Sequence, residues 1–244
     1  MKGLISFRLM KKQTINSVKK TVGYKAANLV EDGMVIGLGT GSTVFFVMER
    51  LHKRIKSGLT ICGVPTSHQT AFRAYDFGIP LTSLDEHPIL DLTIDGADQV
   101  DPKLQLIKGR GAAHTREKCV ANAAKQFIVV IDSSKMTSQL DAAVPIEVIP
   151  FAVTPIIEQL KRMGGKPVLR EGIKKDGPIL TDNGNFVIDC AFGVIKNPSE
   201  LEKSLACIPG VVENGLFTQY TEKTIVIVGE QKKCRILKST DVIT

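Results

Sequence analysis

Short apolar runs alternate with amphipathic stretches from residue 34 to residue 131, and this alternation restricts the fold more than any other feature of the chain. The runs 34–38, 59–62, 89–94, 104–107 and 127–131 are mostly apolar, as strands covered on both faces are. Residues 80–84 read as a further short strand. Between the runs, 44–52, a stretch through Tyr75 that stops at Gly78, and 115–125 have helical spacing. A helix is also expected over 14–31, where Val18, Val22, Ala26, Leu29 and Val30 recur at three- and four-residue spacing and Gly33 closes it. Strands alternating with helices imply a parallel or mostly parallel sheet with helices on both faces.

The pattern changes after Asp141. A strand over 146–149, a helix over 154–163, strands over 167–170 and 185–191, a helix over 199–208 and a strand over 211–217 follow in order. That β-α-β-β-α-β order is the split βαβ unit of a ferredoxin-like α+β domain. Residues 224–228 supply one more apolar strand, and a short strand or coil completes the chain. The expected architecture is therefore an α/β, Rossmann-like catalytic domain from 1–140 and 218–244, interrupted by an inserted ferredoxin-like α+β lid domain over 141–217. Residues 1–12 are expected to form a flexible extension.

Composition excludes some classes of function. No apolar run approaches the ~18 residues of a membrane span, so no membrane partner is expected. The opening MKGLISFRLM is too short, and too interrupted by Arg8, for a signal peptide. The five cysteines form no C-x-x-C pair and are odd in number, which fits buried free thiols in a reducing cytoplasm. The net charge of +7 is spread along the chain without interleaved aromatics. A nucleic-acid surface would more often be concentrated on one element; an anionic small substrate or merely a basic proteome explains the charge equally well.

Three constellations carry chemistry. The first is Gly37-Leu38-Gly39-Thr40-Gly41-Ser42-Thr43, between a strand and a helix. It lacks the lysine of a P-loop and the acidic partner of a dinucleotide fingerprint, but it meets the needs of a small-anion cradle: close backbone approach, unpaired N–H groups and hydroxyls. The second is Asp95-Gly96-Ala97-Asp98, whose carboxylates could bind Mg²⁺, hold sugar hydroxyls or cap a turn. The third runs from Lys108 through Gly109-Arg110-Gly111-Ala112-Ala113 to Glu117. A strand-end lysine can neutralise an alkoxide, loop N–H groups can form an oxyanion hole, and a helix-borne glutamate can act as a base. His114 is expected to pack or to face solvent. The four histidines form no cluster with cysteine, so no metal site is expected. Residues 181–185, Thr-Asp-Asn-Gly-Asn, read as a hairpin turn of the lid.

These motifs, with Gly-Val-Pro-Thr-Ser at 63–67, Thr-Arg-Glu-Lys at 115–118 and Ile-Pro-Gly-Val-Val-Glu at 208–213, occur in the order that resembles type A ribose-5-phosphate isomerases. The resemblance runs from about Val18 to Val228. It implies an aldose–ketose isomerase of the pentose phosphate pathway that needs no cofactor, lies in the cytoplasm and forms a homodimer or homotetramer. It further implies that Glu117 moves the proton between C1 and C2, that Asp95 and Asp98 hold sugar hydroxyls and assist ring opening, and that Lys108 stabilises the enediolate. The substrate-binding set it implies is Lys19, Thr40, Gly41, Ser42, Thr43, Asp95, Gly96, Ala97, Asp98, Lys108, Gly109, Arg110, Gly111 and Lys135. The alternatives are a silent sugar-phosphate sensor and another sugar-phosphate enzyme on the same scaffold. Three positions depart from the family pattern: Gln99 replaces a glutamate, Arg110 a glycine, and His114 an apolar residue.

Overall fold

The computed structural model describes residues 2–231 and 233–241, with side-chain surroundings from residue 15 to 231 and 233 to 240. The first helix, α1 (Lys2–Ala27), opens the chain. It is followed by β1 (Val35–Leu38), α2 (Ser42–Ile55), β2 (Cys62–Pro65), α3 (His68–Asp76) and β3 (Leu90–Asp95). Two short strands, β4 (Gln99–Val100) and β5 (Leu106–Ile107), precede α4 (His114–Ala123) and the long strand β6 (Ala124–Asp132). The insert holds β7 (Val144–Val148), α5 (Val153–Arg162), β8 (Lys166–Leu169), β9 (Phe186–Ala191), α6 (Pro198–Ala206) and β10 (Val211–Asn214). The chain returns through β11 (Leu216–Phe217) to β12 (Thr224–Gly229) and β13 (Cys234–Lys238).

The large sheet has the order β13-β12-β6-β3-β1-β2. All its pairs are parallel except β12 with β13. Its core side chains include Ile36, Leu38, Ile94, Ile128 and Val130, packed with Val22, Val47, Met48 and Leu51 of the covering helices. The insert forms an antiparallel sheet of order β10-β7-β9-β8, which is the 4-1-3-2 arrangement of a ferredoxin-like unit. Its core, around Ile146, Ile156, Leu160, Ile188 and Leu205, is separate from that of the large sheet and takes in Ile107 of β5 and Leu140. The α/β sheet with an α+β insert is therefore present.

Several expected elements differ in detail. Backbone hydrogen bonding makes α1 helical from Lys2, where a loose extension was expected, and ends it at Ala27. No proline interrupts 2–27 and Gly23 is the sole glycine after Gly3, so nothing in the chain stops the helix from propagating. The second strand lies at Cys62–Pro65 instead of 59–62; proline is tolerated there because β2 is an edge strand. The strand expected over 80–84 is a single bridge from Leu81 to Gly63. The strand expected from Leu104 starts at Leu106, because Leu104 sits in left-handed backbone at φ 60°. Strand β5 also leaves the parallel sheet and pairs with β4 and β11 in a small antiparallel one. The single strand expected over 211–217 breaks at Gly215, whose N–H bonds Pro145 of β7 while its carbonyl accepts from Lys108 beyond β5. Of the cysteines, all free, Cys190 is buried but Cys119 and Cys207 are exposed, because both face outward from helical segments.

Candidate active site

The strand order turns back between β1 and β3: from β1 the chain crosses outward to β2, then returns to the other side. Ligands of open α/β sheets bind outside the carboxyl ends of the strands at such a switch point. A cleft of about 560 Å³ opens there. Every residue of the expected binding set except Asp95 lines it; Asp95 lies just beneath.

The loop after β1 is shaped by the carboxylate after β3. A Cβ on Gly39 would lie 2.2 Å from the Asp95 carboxyl group, so only glycine lets the two strand ends come together. Asp95 Oδ1 accepts the N–H groups of Thr40 (3.1 Å) and Gly96 (2.7 Å). Thr40 Oγ1 is in turn within hydrogen-bond reach of Thr66 (2.9 Å), Ser67 (2.8 Å) and Thr70 (3.2 Å). Helix α2 then starts at Ser42, and its unpaired first-turn N–H groups and positive dipole end face the cleft. Lys19 of α1 joins this end by donating to Ser42 Oγ at 2.9 Å. Lys135, in the short turn after β6, lines the same cleft.

The deep end is charged and closed to water. Lys108 is 2% exposed, and its ammonium lies 3.0 Å from Asp95 Oδ2 and 3.1 Å from Glu117 Oε2. It also donates to the Gly96 carbonyl. Beyond this ion pair, the buried Glu117 Oε2 has no hydrogen-bond partner among the described residues. Burial pushes Glu117 up to about 8; the charge of Asp95 adds to the push and Lys108 opposes it. Burial also raises Asp95, against the pull of Lys108. For Lys108, burial acts to lower the pKa, but Asp95 and Glu117 outweigh it and hold the ammonium charged. A carboxylate with a raised pKa beside a permanent cation is equipped to take and return a proton.

The loop between them is partly committed. Asp98 Oδ2 accepts the Arg110 N–H at 3.0 Å, and the Ala112 N–H bonds the Gly109 carbonyl at 3.0 Å. Of the N–H groups at Gly109, Arg110 and Gly111 expected to serve an oxyanion, the Arg110 N–H is therefore occupied. Those of Gly109 and Gly111 meet no protein acceptor among the described residues. Gly109 holds φ 110°, a left-handed value that turns the loop under the cleft.

The three departures have distinct environments. Gln99 replaces a charge with a matched pair of contacts: its amide NH₂ donates to Asp141 Oδ1, and its Oε1 accepts the N–H groups of Asp141 (3.0 Å) and Ala142 (2.9 Å). A glutamate there would face the Asp141 carboxylate. The Arg110 side chain lines the cleft, exposed, with no ion pair or hydrogen bond among the described residues. His114 is fully buried, and its Nδ1 would lie 2.8 Å from a Cβ on Gly109. Neither ring nitrogen has a hydrogen-bond partner among the described residues. Burial lowers its pKa to about 4; Glu147 opposes this, and Lys118 and Arg170 add to it.

His114 thus has a folded-state pKa below its ordinary 6.5, so the unfolded chain takes up the proton first and stability falls as pH drops from about 6.5 to about 4. The loss between pH 7 and pH 5 amounts to about 2 kcal/mol. His114→Leu should remove that part of the decline. Urea unfolding of both proteins at the two pH values measures it, and parallel declines would refute the assignment.

Some lining residues lay outside the expected set. Ser67, Gln69, Asp132 and Leu180 line the cleft, as do Thr181 and Asp182 of the turn assigned to lid structure alone. The signal for Ser67 was present in Gly-Val-Pro-Thr-Ser at the end of a strand. Asp182 carries none locally, since its Oδ2 accepts the N–H of His68, at 2.6 Å, from the start of α3.

Comparisons with known proteins agree with this geometry. The family model described as ribose 5-phosphate isomerase A (phosphoriboisomerase A) matches residues 62–233. Ribose-5-phosphate isomerase A of Methanoregula boonei is 58% identical over 229 residues, covering 94% of this chain and 97% of that protein. The structure of ribose 5-phosphate isomerase A from Methanocaldococcus jannaschii superposes with a TM-score of 0.87 at 45% identity, covering 91% of this chain and 98% of that one. A D-ribose-5-phosphate isomerase solved in complex with phospho-erythronic acid gives 0.89 at 46% identity, covering 92% and 99%. Cleft, fold and sequence converge, and this chain belongs to the ribose 5-phosphate isomerase A family.

Proposed function

We propose that the cleft interconverts D-ribose 5-phosphate and D-ribulose 5-phosphate through an enediolate, with Glu117 as the base. The observation that carries this reading is the Lys108 ammonium held between Asp95 and Glu117 at the closed end of the cleft. With the sugar in its open-chain form, ionised Glu117 removes the C2 proton of the aldose, and the C2–H electron pair moves through C1–C2 onto O1. Lys108 and the N–H groups of Gly109 and Gly111 face that oxyanion, a role for fixed donors in a dry site. Glu117 then returns the proton to C1, the O2 proton passes to O1, and the ketose results with no net redox change. Asp95 and Asp98 hold sugar hydroxyls and assist ring opening. Lys19, Thr40, Gly41, Ser42, Thr43 and Lys135 receive the phosphate, where a helix start and two cations suit a dianion. The solved relative bound to phospho-erythronic acid supports a ligand with an acid at one end and a phosphate at the other.

The reading extends to the non-oxidative branch of the pentose phosphate pathway, to a cytoplasmic site and to a homodimer or homotetramer. No helix among the described residues is long and apolar enough to cross a membrane. The insert over 141–217 serves as the lid of the catalytic domain.

Purified protein should convert ribose 5-phosphate, and conversion of only other sugar phosphates, or binding without turnover, would overturn the assignment. Because Glu117 must be ionised to act and its pKa lies near 8, kcat/KM should rise tenfold per pH unit up to about 8 and then level. A plateau already reached at pH 6 would contradict the raised pKa. Arg110→Ala should raise KM roughly fivefold, the worth of about 1 kcal/mol for an exposed charge, and leave kcat unchanged. Steady-state kinetics at low and high salt check this, since the effect should shrink with added salt.

A further inference from the structure

Four consecutive side chains at the start of α4 point to separate sets of partners. Glu117 faces Lys108 in the cleft. Its neighbours are all gripped by the insert. Thr115 Oγ1 donates to Glu147 Oε2 of β7 at 2.5 Å. Arg116 donates through Nε to Asn183 Oδ1 (2.7 Å) and through Nη2 to the Asp182 carbonyl (2.8 Å). Lys118 pairs with Glu202 of α6 (2.9 Å) and Glu213 of β10 (2.8 Å).

Glu147 is the centre of this grip. It is 0% exposed, and besides Thr115 it accepts Thr181 Oγ1 (2.8 Å), Asn183 Nδ2 (3.0 Å) and Asn185 Nδ2 (2.8 Å) on Oε1. One carboxylate thus ties both ends and the middle of the turn at 181–185 to the first turn of α4. The same turn lines the cleft through Thr181 and Asp182, and Asp182 reaches across to the start of α3. A buried carboxylate with no hydrogen-bonded cation is costly, and here neutral donors alone satisfy it. Mere fastening of a turn to a helix does not require a buried charge.

We propose that Glu147 is a positioning residue of the isomerisation: it locks the turn 181–185 onto α4, aims Glu117 at Lys108 and keeps water from that side of the base. The inference rests on Glu117 being the base. Burial works to raise the Glu147 pKa, but the hydrogen bonds from Thr115, Asn185, Asn183 and Thr181 outweigh it and hold it below the ordinary glutamate value. The clasp therefore stays ionised wherever the enzyme works. The titratable group facing Glu147 is the buried imidazole of His114, which Lys118 and Arg170 also act on, and the groups acting on Glu117 are Asp95, Lys108 and Asp98.

The test compares Glu147→Gln and Thr115→Val with wild type. A glutamine turns an NH₂ group toward donors and opens the clasp, whereas Thr115→Val keeps the shape and cuts only the link to α4. Both should lower kcat by about tenfold to a hundredfold, the scale of a misplaced catalytic group. Both should move the acid limb of kcat/KM below 8, because water reaching Glu117 relieves the burial that raises it. KM should change less than kcat, since the phosphate end is untouched. Unchanged kcat and acid limb in Thr115→Val, or a lower Tm with the acid limb unmoved in both, would overturn the proposal. Glu117→Gln separates the two readings: if it stays active the base assignment fails, and if it is inactive while Thr115→Val is normal only the clasp fails.

Discussion

Glu117→Gln should cost about 10²- to 10⁴-fold in kcat, or roughly 3 to 5 kcal/mol of transition-state stabilisation, with little change in KM. The amide has nearly the shape of the carboxylate but cannot accept the C2 proton. The end of the cleft proposed to receive the phosphate, with Lys19 and the start of α2, is left intact. Stability should not fall. Glu117 Oε2 has no hydrogen-bond partner, and its ionised form is disfavoured by burial and by Asp95, so a neutral group relieves a penalty. Kinetics and thermal unfolding on the same sample test both halves. Retention of nearly full activity would remove Glu117 from the mechanism.

Lys108→Met should fail in a different way. It removes the ammonium that lies against two carboxylates, each within 3.1 Å and almost wholly buried, and leaves them facing each other without a counter-ion. Breaking a buried pair in this manner costs about 3 to 5 kcal/mol of stability. Loss of the oxyanion donor costs a further 10²- to 10³-fold in kcat. With the opposing cation gone, the pKa of Glu117 should climb above 8, so that activity at pH 7 falls further and the acid limb moves to higher pH. An isomerase variant with lowered Tm, lowered kcat and an acid limb shifted upward satisfies all three terms. Wild-type stability in Lys108→Met would mean that the buried carboxylates are neutral without it.

The alternation of apolar runs and helical spacing made the parallel sheet and its insert legible, because each depends on residues close together in the chain. Asp95, Lys108 and Glu117 were legible for a related reason, since each stands at the end of a strand or the start of a helix where backbone groups are free. Two of the departures share a non-local origin. The Cys62–Pro65 register is set by pairing with β1, and the break at Gly215 by bonds to Lys108 and Pro145, none of which is a local preference. The stretch at 181–185 has the composition of a hairpin tip and forms a tight turn closed by the Thr181 N–H on the Asn185 carbonyl, yet its partners His68, Arg116 and Glu147 are remote in sequence. Gln99 stands where the family pattern has a glutamate, and the Asp141 carboxylate opposite it is likewise remote in sequence.

Strand β12 is an interior strand, hydrogen-bonded to β6 on one side and β13 on the other, although the whole insert separates it from β6 in sequence. During synthesis the ribosome must therefore release the insert before the larger sheet can close. Until then the edge of β6 from Phe127 to Ile131 has no neighbour on that side, and it is among the most apolar stretches of the chain. The insert, whose core draws only on itself and on Ile107 and Leu140 of the preceding chain, is able to condense first and hold the nascent chain compact while that edge waits. A chain stopped short of Thr224 would carry every residue of the cleft and still expose an adhesive strand.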